Sequence, residues 1–139
     1  MQVPATASSS PLIRLAAAQV AAQCGLDYDR VEDVRMAVSE SVRILIGAPG
    51  DEVDGASDAP RLDAVLTVGD RSLTIVVGLD GNGDGNAPGP DDDSIRILEA
   101  TTTSFSIDAA DQWSPVVTVH FDTGNASGAV RDRTPGREG

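Results

Sequence analysis

The stretch Asp80-Gly81-Asn82-Gly83-Asp84-Gly85 places oxygen-bearing side chains at alternate positions and a glycine at the sixth, and Asp91 falls at the twelfth. That is the opening pattern of a calcium loop, because a hard cation takes carboxylate and amide oxygens. The surroundings argue for a solvated acidic loop instead. A strand pattern precedes the stretch where a calcium loop has a helix, Pro88 and Pro90 interrupt its later positions, and the twelfth residue is Asp rather than a bidentate Glu. A second acidic run, Asp91-Asp92-Asp93-Ser94, is suited to the start of a helix, whose N-terminus favours negative charge. The same carboxylates would repel an anionic ligand. Glu40 lies on an amphipathic helical pattern, where a carboxylate is ordinarily a surface group. Ile44, one turn later, offers a cation no oxygen. Arg14 lies early in another helical run, and its stem can cover apolar surface. His120 is the one histidine, with no serine or cysteine constellation around it in sequence, and it reads as structural. No zinc spacing or nucleophile motif is present.

The elements that must position these residues are legible along the chain. Ser10-Pro11 reads as a serine cap followed by proline at the first helical position, and the alanine-rich run after it ends at Gly25. A second helix begins at Asp27 or Asp29. Its apolar residues Val31, Val34, Val38, Val42 and Leu45 share one face, and Gly47-Ala48-Pro49-Gly50 stops it. An acidic loop runs from there to Pro60. Leu62, Ala64, Leu66 and Val68 alternate with more polar neighbours, as do Leu73, Ile75, Val77 and Leu79. With the turn Gly69-Asp70-Arg71-Ser72 between them, the two runs form a hairpin. After the loop from Asp80 to Asp93, a short helix spans about Ser94 to Thr102. A second hairpin pairs Phe105 and Ile107 with Val117, Val119 and Phe121, and Val3 adds a short edge strand. This order implies an α+β fold, an antiparallel sheet of four to five strands with three helices on one face. One domain over residues 1–122 and a disordered tail over 123–139 account for the chain, since the tail has no apolar periodicity.

Composition narrows the function. The chain of 139 residues, 40% apolar, can bury one modest core, and with Tyr28, Phe105, Trp113 and Phe121 as its aromatics that core is aliphatic. A net charge of −12 argues against direct nucleic-acid binding, which rewards Lys and Arg through counterion release. The lone Cys24 makes no internal disulfide. The run from Leu12 to Cys24 lacks the basic start and uninterrupted apolar core of a signal peptide, and Gln23 does not suit lipidation of Cys24. No run of about 20 apolar residues exists to span a bilayer, so the cytoplasm is the expected compartment.

The segment Met36-Ala37-Val38-Ser39-Glu40 and the collinear order of elements over about residues 2 to 122 resemble the RsbW-like anti-sigma factors, which share the histidine-kinase-type ATPase (Bergerat-like) fold. The chain resembles the actinobacterial members that lack the metal-binding asparagine. The resemblance implies that Glu40 stands where the family has a catalytic base, and that Ile44 stands where an asparagine holds Mg²⁺. It aligns Leu79-Asp80-Gly81-Asn82-Gly83 with the family's Asp-x-Gly-x-Gly, so Leu79 takes the place of the adenine-binding aspartate. Asp80, Gly81 and Gly83 then remain as a vestigial cofactor loop. Asp91 to Asp93 stand where glycines would receive phosphates. Arg14 matches an arginine that contacts the sigma factor and its antagonist. The implied function is that of an anti-sigma factor with a degenerate ATP site, a homodimer that sequesters a sigma factor until an anti-anti-sigma partner competes. No ATP, Mg²⁺ or metal site is expected. The alternatives are an active serine-protein kinase using Glu40 and a rearranged loop at Asp80, and a calcium-responsive binding module.

Overall fold

The computed structural model describes residues 1–5, 9–46, 61–80, 89–108 and 115–123. In chain order these form β1 (Gln2–Pro4), α1 (Ser10–Gln23), α2 (Tyr28–Ile46), β2 (Arg61–Val68), β3 (Ser72–Asp80), α3 (Asp92–Thr101), β4 (Ser104–Asp108) and β5 (Val116–Asp122). Every expected element is present. The five strands make one antiparallel sheet in the order β1-β2-β3-β5-β4. The acidic loop expected between α2 and β2, the calcium-like loop 81–88 with Gly81 and Gly83, and the tail 124–139 lie outside the described residues.

Pairing register explains why one sheet face is dry. Leu62 sits opposite Leu79, Ala64 opposite Val77 and Leu66 opposite Ile75, while β3 sets Val77 and Ile75 against Val117 and Val119 of β5. Side chains alternate across a strand, so this register sends the apolar set to one face. There it meets Ile13, Ala17 and Ala21 of α1, Val34, Val38 and Leu45 of α2, and Leu98 of α3. The core is aliphatic apart from Phe121, which is fully buried.

Helix ends follow local chemistry, with two shifts from the sequence expectation. Ser9, not Ser10, occupies the cap position of α1, so Ser10 and Pro11 are its first two residues, and no side-chain cap bond forms. Proline tolerates either place because the first-turn N–H groups have no partner within the helix. At the other end Gly25 adopts φ +87, its N–H bonds Ala22 O, and Leu26 N–H bonds Ala21 O before the Leu26 side chain enters the core. This doubly bonded stop needs a left-handed residue, which glycine supplies without strain. Asp27 then caps α2 through Arg30 N–H at 2.9 Å, the earlier of the two expected starts. The second shift is in α3, which begins at Asp92 rather than Ser94 because Asp91 caps it, accepting from Ser94 N–H at 2.8 Å.

Candidate functional site

Glu40, Arg43 and Ile44 stand within about one turn of α2, yet their surroundings differ sharply. Ile44 is 2% exposed and Leu79, at the end of β3, is 4% exposed. Both belong to the single apolar core. The Ile44 carbonyl accepts from Gly89 N–H at 3.0 Å, so the chain returning toward α3 touches the last turn of α2 there, with Gly89 at φ +80. Asp80 ends β3 with its backbone paired opposite Arg61.

Glu40 overturns the expectation of a surface carboxylate, being 8% exposed overall. The helix buries a wider arc than its valines alone suggest, because α3 packs against α2 beside the sheet. A carboxylate in that position needs partners. Glu40 Oε1 accepts from Ser94 Oγ at 2.8 Å and from Arg43 Nε at 2.9 Å, and Arg43 Nη2 lies 2.8 Å away. Arg43 Nη2 also reaches Ser94 Oγ at 3.2 Å and Asp91 Oδ2 at 3.5 Å. Bonds from a guanidinium to a carboxylate are charge-assisted and stronger than neutral ones. The Glu40 bond, and then the charge of Glu40, hold Arg43 still further toward its protonated form. Asp91 titrates below the usual aspartate range, chiefly because its carboxylate accepts from Ser94 N–H, with the neighbouring Ser94 hydroxyl and Arg43 adding to the effect.

Arg14 is half-buried, and its Nη1 lies 3.4 Å from Ser39 Oγ, a hydroxyl that itself donates to Arg35 O at 2.9 Å. Arg14 and Glu40 line one open cavity of about 280 Å³, together with Arg35, Met36, Ser39 and Ile97. Sequence spacing did not bring these two residues together. The packing of α1 and α3 against either side of α2 does. His120 is remote from them in the fold's layers: its position in the alternation places it on the sheet face opposite the core, where Nδ1 lies 3.0 Å from Thr74 Oγ1. Among the described residues no group of three or more His, Cys, Asp or Glu side chains could hold a metal, and no helix is long and apolar enough to cross a membrane.

Two site residues escaped the sequence reading. Arg43 had a local signal, since it follows Glu40 by three positions and such pairs are neighbours on a helix. Ser94 had none, because 54 positions separate it from Glu40.

No family model matches the chain, and no curated protein matches it. Among solved structures, the crystal structure of the RsbU and RsbW domains of Rv1364c from Mycobacterium tuberculosis matches with a TM-score of 0.59 and 20% identity, over 88% of this chain and 32% of that one. The chain thus spans about a third of the length of the solved chain it matches. The likeness, at that identity, is one of architecture: this protein has an α+β fold, a five-stranded antiparallel sheet with three helices, shared with an RsbW-containing structure.

Proposed function

We propose that the chain is a binding protein of the anti-sigma type whose nucleotide site no longer serves ATP. The observation that carries this reading is that Ile44 and Leu79 are packed in the core, while Glu40 Oε1 is held by Arg43 and Ser94. A metal ligand must offer oxygen, and an adenine contact must offer a polar group, which neither alkyl side chain does. The residues therefore do not fit Mg-ATP, and no phosphoryl-transfer step is assigned to them.

In this reading the protein works by mutually exclusive binding. It would hold a sigma factor, using Arg14 beside the cavity between the helices, and release it when an anti-anti-sigma protein takes the same surface. The RsbU and RsbW domains of the matching structure support that class of partner. The control would be the state or abundance of the partner, with the protein acting as a cytoplasmic homodimer. The kinase alternative requires a metal ligand other than Ile44 and an adenine contact other than Leu79. The calcium alternative requires Asp91 to leave the helix it caps. Calorimetry with millimolar Mg-ATP is expected to show no saturable binding. A micromolar dissociation constant with phosphate transfer to a partner serine would refute the proposal.

A further inference from the structure

Three oxygens from two helices converge on one nitrogen. Arg43 Nη2 has Glu40 Oε1 at 2.8 Å, Ser94 Oγ at 3.2 Å and Asp91 Oδ2 at 3.5 Å. Two carboxylates and a hydroxyl are the donor types that a hard divalent cation gathers, and here a guanidinium stands among them. We propose that Arg43 is the resident cation of this site, a built-in lock that ties the first turn of α3 to α2.

The electrostatics require some positive charge at that point. Glu40 is almost fully buried, so without Arg43 it would keep a buried charge with Ser94 as its neutral partner, while the Asp91 carboxylate, 61% exposed, would add a solvent-screened repulsion. Arg43 reaches Glu40 from the same helix at three positions' distance, which costs little chain ordering. The long-range half of the lock comes from Asp91 and Ser94 across the α2–α3 boundary. The planar guanidinium donates from Nε and Nη2 to one carboxylate oxygen while Nη2 also faces α3, a geometry that a lysine ammonium on its flexible stem does not reproduce. Asp91 has a second task in the same place, since its other oxygen caps α3. The start of α3 is therefore held by side chains of this chain alone. Such a cation is covalently attached and does not leave with a ligand, so it re-forms the same contacts after each local opening.

The inference rests on the proposed loss of ATP binding only in naming what the lock replaces, and its test reads the protein without nucleotide. Amide exchange at Ser94, Ile95 and Leu98 and manganese-induced broadening of the Asp91 and Ser94 NMR signals are measured in the wild type, Arg43→Gln, Arg43→Lys and Ser94→Ala. Arg43→Gln is expected to exchange about tenfold faster at these amides, the loss of a charge-assisted contact to a local opening equilibrium, and to admit manganese. The wild type and Arg43→Lys keep a cation in place and exclude the metal. Ser94→Ala loosens α3 while manganese stays out, which keeps the test decisive should Arg43→Gln not fold. Equal exchange, or an equal manganese response, in the wild type and Arg43→Gln overturns the lock, as does unchanged exchange in Ser94→Ala. Saturable Mg-ATP binding by the wild type would instead refute the functional reading and leave these outcomes to judge the lock separately.

Discussion

The end of β3 with the last turn of α2 and the junction of α2 with α3 are built in opposite ways. At the first, Leu79 and Ile44 are core residues, almost without solvent exposure. At the second, Glu40, Ser94 and Asp91 are polar and are satisfied internally by Arg43. Core placement ties the first region to the stability of the whole domain, since apolar burial and packing there are shared with both helices and sheet. Internal pairing ties the second to a few side chains. A polar substitution in the first region thus strains the whole core, whereas the second is open to single substitutions.

The largest effect is expected where the comparison is sharpest. Leu79→Asp places a carboxylate among aliphatic side chains, and Ile44→Asn an amide, and each should lower unfolding stability by about 3 kcal/mol or more, through lost apolar burial and an unpaired polar group. Urea unfolding of the two single variants measures this. A double variant that stays as stable as the wild type and binds Mg-ATP would dissolve the distinction between the two regions.

Glu40→Ala should cost less, about 1 to 3 kcal/mol, because it leaves Arg43 and the nearly buried Ser94 hydroxyl without their shared acceptor. Glu40→Gln should fall between it and the wild type, since the amide oxygen can still accept while the charge is gone. Identical denaturation midpoints for all three proteins would mean that the carboxylate is idle, as a surface glutamate would be.

Arg14 sharpens the comparison from the binding side. Its contact to Ser39 is long and its side chain half-exposed, so Arg14→Ala should change stability by less than about 0.5 kcal/mol, as surface substitutions do. If it is an interface anchor, the same substitution should weaken sigma-factor binding by about 1 to 3 kcal/mol. Surface plasmon resonance beside a thermal melt separates the two quantities, and an unchanged affinity in a folded variant would remove Arg14 from the partner surface.

The smallest effect concerns pH. Asp91 has a folded pKa below its ordinary value of 3.8, first because of its bond from the Ser94 backbone. A group with a depressed folded pKa contributes stability that is present above the unfolded pKa and lost as pH falls through the folded one. The contribution of Asp91 should therefore be full above about pH 5 and fade below 3.8. Difference melts of wild type and Asp91→Asn across that window check it, and a difference that grew on acidification would reverse the sign.

Much of the scaffold was legible because its signals are local. Gly25 marks a stop that only a left-handed residue makes easily, and Gly69-Asp70-Arg71-Ser72 breaks two alternating runs whose register the hairpin preserves. The misplacements were also local. Ser10 and Ser9 have the same capping chemistry, and in Asp91-Asp92-Asp93 any of the three could cap, so the sequence could not choose. Glu40 was a different kind of error. Helical periodicity shows that a residue leaves the valine face, but it does not show that a second helix covers the neighbouring arc.

What the sequence determined by itself was the set of elements, their order, the aliphatic core face of each strand and the absence of ligating oxygens at Ile44 and Leu79. Those follow from residue type and from periods of 2 and 3.6, which the backbone imposes at short range. Only the tertiary structure decided that Ile44 and Leu79 enter one core, that Arg14 shares a cavity with Glu40, and that Ser94 meets Glu40 directly and Asp91 meets it through Arg43. These contacts join residues far apart in the chain. Their existence depends on how α1 and α3 pack on either side of α2, a choice made by the cooperative burial of the whole apolar face.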